Sequence, residues 1–348
     1  MDRLAFIDNK INQKIARVPD NISIVTPGDM IPAQIQADWL ILLLCRMYTE
    51  HGITKRRDQL IKDIEHQDCK TWFAVKEGKP VASAALVAQT DGSREIGRAV
   101  SLENGVGGLL MMMAAKEHLS TSASPLVAEV RVADEYLGVP SGEATETICL
   151  KHLGLTPHAL VPAFNHGSPV RQEQFLFSSS QPLTVAETVA LPEDRHSSNL
   201  IRSTAIALAE NRFHKKIRVE ACSNHRESLG WDVVMTSPFS VALPSKKSSA
   251  NLEKILDFTE SQSAFTLLPI EARPEAVGAI TECLNQGFVP CGVDRNLGEH
   301  GHPVILLGKL RANTLLAPIK INKDVVTPEE ALAIAIIDQA FRQKLRVW

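Results

Sequence analysis

Gly105 and Gly107, within Gly97–Leu110 (GRAVSLENGVGGLL), are the residues of this chain whose type and spacing best suit phosphate chemistry. An apolar strand runs there through a glycine-rich turn into a Leu/Met-rich helix beginning near Gly108. Glycine lets the backbone approach a ligand closely, and the first amides of a helix have no intrahelical acceptor, so they can donate to a pyrophosphate. A tight strand-to-helix turn with no ligand is the bland alternative for so short a pattern. Other reactive side chains read more plainly. Cys149 and Cys283 lie on apolar helices and suit small core positions better than a nucleophile's role. Asp294, Glu299, His300 and His302 gather in DRNLGEHGH, but no His-x-x-x-His or Cys pair accompanies them, so a surface turn is expected and no metal.

The elements that must position the glycines follow in a definite order. Trp72–Val75 and Val81–Val87 read as an antiparallel hairpin turning at Glu77-Gly78-Lys79, and Asp91-Gly92 turns into the strand before the loop. After the helix Leu109–Leu119 come a strand at Leu126–Val132 (LVAEVRV) and a helical stretch at Glu143–Leu153. Gly154, a strand at Leu155–Ala163 and another at Gln174–Phe177 complete the series.

The series from Asp38 to about Ser179 resembles the GNAT superfamily of acyl-CoA-dependent N-acyltransferases, whose strand, pyrophosphate loop and helix hold the pantetheine-linked cofactor. The family's Gln/Arg-x-x-Gly-x-Gly/Ala loop falls on Leu102, Glu103, Asn104, Gly105, Val106 and Gly107, with Gly108 and Leu109 leading into the apolar helix. Both glycines match. Leu102 stands where the family has Gln or Arg, Glu103 adds a negative charge, and Arg98 or Lys116 is a candidate for the missing cation. The resemblance implies acetyl-CoA or another acyl-CoA as co-substrate, with its thioester carbonyl met by a backbone amide around Val100, Ser101 and Leu102. Catalysis would then come mainly from positioning and that hydrogen bond. It also implies a strand carboxylate as base, for which Glu129 and Glu95 are candidates; apolar neighbours in LVAEVRV would raise the pKa of Glu129. The family's Tyr, which protonates the departing thiolate, is replaced by Leu150 in the first half and Cys283 in the second, leaving Tyr136 or His152 to serve as acid. His158 and His166 are candidates to line an acceptor pocket.

A chain of 348 residues exceeds what one core usually supports, so two domains are expected. A hydrophobic content of 44% with 22% charged residues is ordinary for a folded soluble protein. A net charge of -3 with no basic run interleaved with aromatics speaks against nucleic acid or an anionic membrane as partner. Six cysteines without a Cys-x-x-Cys pair suit reduced thiols in a cytoplasm, and neither Met1–Arg17 nor Trp39–Cys45 reads as a signal or a membrane span.

The second half repeats the order of the first. Ala264–Glu271 reads as a strand, Pro274 opens a helix over Ala276–Gln286, Gly287 ends it, and Phe288–Val293 and Val304–Leu307 are strands. Trp231–Leu243 is expected as its long central strand and Asn251–Phe258 as the following helix. The turn between them, LPSKKSS, has no glycine, so this copy is read as degenerate, with Lys246 and Lys247 solvated. Ser178–Ser198 suits a connector, Asn199–Phe213 an amphipathic helix, and Thr327-Pro328-Glu329-Glu330 a capped helix start with Leu332, Ile336, Ile337, Ala340 and Phe341 on its apolar face.

The expected architecture is α/β (α+β): tandem GNAT-like domains with mixed, mostly antiparallel central sheets flanked by helices. Residues 1–180 form the acyl-CoA-binding domain, 181–198 a linker, 199–311 the degenerate domain and 312–348 a C-terminal packing segment. The expected activity is acyl transfer from CoA to an amine of a small molecule or peptide. A non-catalytic GNAT-like protein that binds CoA or another ligand is the alternative.

Overall fold

The computed structural model describes residues 3–47, 56–131, 145, 147–162, 172–178, 186, 188–223, 230–235, 240–245, 250–263, 265–312, 314–317, 319 and 324–346. The chain divides into two compact units, one of residues 1–130, 143–155 and 176–181, the other of 131–142, 156–175 and 182–348.

The first unit runs α1 (Arg3–Ile15), β1 (Ile22–Val25), α2 (Ala33–Met47), α3 (Arg57–Glu65), β2 (Cys69–Lys76), β3 (Lys79–Ala88), β4 (Arg94–Ser101), α4 (Val106–Thr121) and β5 (Leu126–Arg131). Its sheet has the order β1-β2-β3-β4-β5, antiparallel except for the parallel pair β4 and β5. The expected hairpin is present: Lys76 faces Lys79 across Glu77 (φ 52°) and Gly78 (φ 75°), the two left-handed residues of a two-residue turn that matches strand twist. One sheet face packs on α2 and α3 through Leu40, Leu43, Leu44, Leu60, Phe73, Ala85 and Val100. α4 is apolar nearly all round, with Leu109, Leu110, Met111, Met112, Ala114 and Ala115 buried, because both the sheet and α1 cover it. Each such Leu or Met contributes roughly 2 kcal/mol on burial.

In the second unit, β6 (Thr156–Pro162) pairs antiparallel with a later strand at Gly292↔Ala159, while β7 (Gln172–Ser178) contributes residues to both units. Next come β8 (Thr188–Pro192), β9 (Arg218–Cys222), β10 (Gly230–Met235), β11 (Ser240–Ser245), β12 (Phe265–Glu271), β13 (Val289–Leu297) and β14 (Pro303–Leu310). The main sheet here has the order β6-β13-β14-β12-β11-β10, and β8 and β9 form a separate parallel pair. Strand β6, read from sequence together with the first half, thus groups with the second.

Several expectations need correction. Trp231–Leu243 is not one long strand but two antiparallel ones, β10 and β11, with Trp231 facing Pro244 and Asp232 facing Leu243. The stretch read as a connector holds β8, whose Val189, Ala190 and Leu191 are buried. The helix expected at Asn199 begins at Arg195, where Asp194 caps it by accepting from the Ser197 amide at 2.8 Å. It continues through a π turn at Arg202–Ile206 to Phe213. The C-terminal helix Pro328–Arg346 has the expected cap, a reciprocal pair in which Thr327 Oγ1 accepts from the Glu330 amide and Glu330 accepts from the Thr327 amide. Its buried face, however, is Ala333, Ile334, Ile337 and Phe341, and Leu332 is exposed.

Candidate functional site

β4 reaches the glycine loop through a bulge. Its pairing with β3 passes from Ala85↔Gly97 to Ser83↔Val100, so one extra residue sits on the β4 side. Arg98 takes a left-handed φ of 50° there, Ser83 Oγ donates to its carbonyl at 2.9 Å, and its guanidinium donates to Cys69 Sγ at 3.0 Å. Arg98 is therefore committed to the bulge. Burial raises the Cys69 thiol pKa to about 11, which makes this sulfur a neutral acceptor.

Beyond the bulge, β4 and β5 part. Their parallel pairing covers Arg94↔Leu126 and Glu95↔Val127, after which β4 continues to Ser101 and β5 to Arg131 with no further pairing between them. Successive amides of a strand point to opposite edges. The Leu102 amide donates to the Val81 carbonyl at 2.8 Å, so the Ser101 amide turns to the other edge, towards β5. Of Val100, Ser101 and Leu102, only Ser101 offers its amide to the opening between the strands.

The loop follows. Gly105 is the helix cap, at φ 81°, with no side-chain cap and open space where a Cβ would stand. Asn104 is exposed beside it. Glu103 is ion-paired with Lys76 at 2.8 Å, which screens its charge from an approaching anion. Gly107 serves differently from the expectation. Its amide donates to Ser101 Oγ at 3.2 Å, and a Cβ there would fall 2.8 Å from the Cβ of Ser101. Glycine at 107 thus lets α4 sit against the end of β4. The donors left to a ligand are the first-turn amides of Val106 and Gly108, which have no acceptor within the helix. Val100, Val106 and Leu109 bury their side chains and can offer only backbone.

Among the acid and base candidates, Glu129 is exposed, so its apolar sequence neighbours do not enclose it as expected. Glu95 is half-buried and accepts from Gln89 at 2.8 Å. Tyr136, His166, Lys246 and Lys247 lie outside the described residues. Leu150 and Cys149 are buried in a π-helical segment, Ile148–His152, that packs on α4. His152 in that segment is half-buried, and its Nδ1 has no hydrogen-bond partner among the described residues. Burial, then Lys10, Lys14 and Lys151, lower its pKa and keep the ring neutral.

In the second unit, Cys283 is fully buried, its thiol pKa pushed well up by burial, as a core residue's would be. His158 is also buried, with Nδ1 2.7 Å from the Val293 carbonyl, a core position and not a pocket wall. His300 Nδ1 lies in hydrogen-bond contact with Glu271 Oε2 at 3.0 Å and the His302 ring meets the Thr188 carbonyl at 3.1 Å, contacts that tie down the turn between β13 and β14.

The geometry of the second unit partly parallels that of the first. β11 pairs parallel with β12 at Ser240↔Thr266 and Val241↔Leu267, across an intervening helix Leu252–Gln262. That helix begins at Asn251, whose side chain accepts from the Lys254 amide at 3.0 Å. Sequence reasoning missed Lys14, whose Nζ lies 3.8 Å from where a Cβ of Gly108 would be. Nothing in local spacing links residues so far apart.

No protein-family model matches the chain, and no curated protein matches it. It is similar to the solved aminoglycoside 6'-N-acetyltransferase from Enterococcus faecium, at 15% identity over 47% of this chain and 99% of that one, with a TM-score of 0.34. An aminoglycoside 6'-N-acetyltransferase complexed with coenzyme A matches at 14% identity over 47% and 99%, TM-score 0.35. An acetyltransferase of the GNAT family from Streptococcus pneumoniae matches at 13% identity over 45% and 98%, TM-score 0.35. Solved structures similar to just under half of this chain are acetyltransferases, GNAT-family proteins among them.

Proposed function

We propose that the first unit is a GNAT-type acyl-CoA-dependent N-acyltransferase module. The observation that carries the reading is the parting of β4 and β5 after Glu95↔Val127, directly before a glycine-capped helix start. An extended pantetheine arm fits an opening edged by unpaired strand backbone, and its diphosphate fits the first amides of α4. The Ser101 amide then meets the thioester carbonyl and stabilises the oxyanion as the amine attacks. The bond formed is C–N and the bond broken is C–S; the amine loses a proton and the departing thiolate gains one. Glu129, exposed on β5, is the base in this reading. Tyr136 and His152, whose pKa burial lowers, are the candidate acids. The acceptor is an amine of a small molecule or peptide.

The division proposed for the chain takes the first unit as the donor-binding domain and 199–311 as a degenerate second copy, which β6 and β8 join, with 312–348 as a packing segment. The order strand, strand, helix, parallel strand in β10 to β12 supports the second copy. All six cysteines are free thiols, which suits work in the cytoplasm, and no described helix is long and apolar enough to cross a membrane.

Isothermal titration with acetyl-CoA tests the reading. Saturable heat is expected, followed by thiol release when small-molecule and peptide amines are offered. Absence of heat at roughly 1 mM donor overturns it. A second reading, a CoA-binding protein that transfers nothing, draws on buried Leu150 where the family has its acid. Donor binding without thiol release from any amine would favour it.

A further inference from the structure

We propose that Lys14, carried by α1, supplies the cation that meets the donor's diphosphate at the first turn of α4. This rests on the donor site proposed above and names a residue for it from outside the loop. The loop needs such a charge. Leu102–Gly105 contains no basic residue, and Glu103 has already taken Lys76 as its partner. The two cations suggested by sequence are engaged elsewhere: Arg98 holds Cys69 at the bulge, and Lys116 pairs with Asp8 of α1 at 2.5 Å.

Lys14 is placed differently. Its ammonium stands 3.8 Å from the Cβ position of Gly108, whose amide is one of the donors left to a ligand, and it has no carboxylate partner among the described residues. α1 packs along α4, so the lysine is delivered by a fixed element and not by a loop. Lys10 and Lys151 add to the positive field, since both act together with Lys14 on His152, and Lys10 lies 5.6 Å from the Phe6 ring centre. Like charges gathered beside the positive end of a helix repel one another, and a bound anion relieves that repulsion. His152 Nδ1, without a hydrogen-bond partner among the described residues, lies within the same field. A group with two or more negative oxygens, such as a nucleotide-linked diphosphate, matches this set better than a single carboxylate.

The test uses the full chain and three probes: CoA, dephospho-CoA, which keeps the diphosphate, and pantetheine, which has none. In Lys14→Gln, CoA and dephospho-CoA should both bind about tenfold more weakly, the size of one lost charge-assisted contact, while pantetheine is unaffected. Lys14→Arg should restore affinity, and matching melting curves show that each variant folds. Wild-type protein that binds CoA no more tightly than Lys14→Gln overturns this inference and leaves the donor site standing. Loss confined to CoA overturns it by assigning Lys14 to the 3'-phosphate, and tighter binding by Lys14→Gln overturns it by making α1 an obstruction. Wild-type protein that binds none of the probes overturns both proposals.

Discussion

Both units send a strand into a helix and recover it as a parallel neighbour held by two residue pairs, yet they begin the helix in opposite ways. In the second unit the cap is Asn251, whose own side chain occupies the Lys254 amide. In the first the cap is Gly105, which has nothing to offer, and the one satisfied amide, that of Gly107, is held from behind by Ser101. A helix start closed by its own cap is finished as a structure. One left open by a glycine is held instead by the burial of α4 against the sheet and α1, and its unused donors are available to an anion. In the reading proposed above, the difference between a donor site and a degenerate copy reduces to which atoms satisfy a handful of amides.

The comparison can be broken by experiment. The largest effect expected is from Gly105→Glu, which puts a negative charge at the open turn and a side chain at φ 81°; acetyl-CoA binding should disappear from titration calorimetry while the fold survives with a loss of about 1–2 kcal/mol. Retained affinity would show that the turn is only a turn. Gly107→Ala should act on stability first. Its Cβ would meet Ser101 at 2.8 Å, and a cost of about 2 kcal/mol, or about 5 °C in melting temperature, is expected, relieved in the Ser101→Gly background. Asn251→Ala should cost about 1 kcal/mol and leave donor affinity unchanged, since that helix start is taken to serve structure alone. A change in donor affinity there would make the second unit a participant.

The smallest effect is a pH dependence confined to the first unit. His118 at the end of α4 is buried, with Nε2 2.8 Å from the Ser124 carbonyl, and burial lowers its pKa below the ordinary 6.5. The unfolded chain therefore binds a proton first as pH falls. Stability from this group is complete above pH 6.5 and is lost as pH falls through the lowered value. His118→Gln should flatten that part of the melting profile by on the order of 2 °C.

Much of the first unit was legible because its signals are local. Glu77-Gly78 announces a hairpin turn, and Gly105 and Gly107 mark the start of α4, though for two different reasons. The break between β10 and β11 escaped notice because apolar residues flank it on both sides, although Ser237-Pro238 was a breaker in plain sight. β8 was lost in a stretch whose Ser, Thr and Pro content resembles a connector; what makes it a strand is pairing with β9, a partner distant in sequence. The same limit hid Lys14. Its relation to Gly108 comes from helix packing, and neither residue carries a mark of the other.

The extra residue at Arg98 has one more consequence. Side chains along a strand keep a parity, and in an unbroken β4 Ser101 would share a face with Gly97 and look towards α2 and α3. One inserted residue switches that parity, so Ser101 matches Ala82 and looks towards α4, where its hydroxyl reaches Gly107. Pairing the same residues without the bulge would set Ser101 opposite Val81, swing its hydroxyl to the other side of the sheet and take it away from the start of α4, although every atom of the glycine turn would still be present.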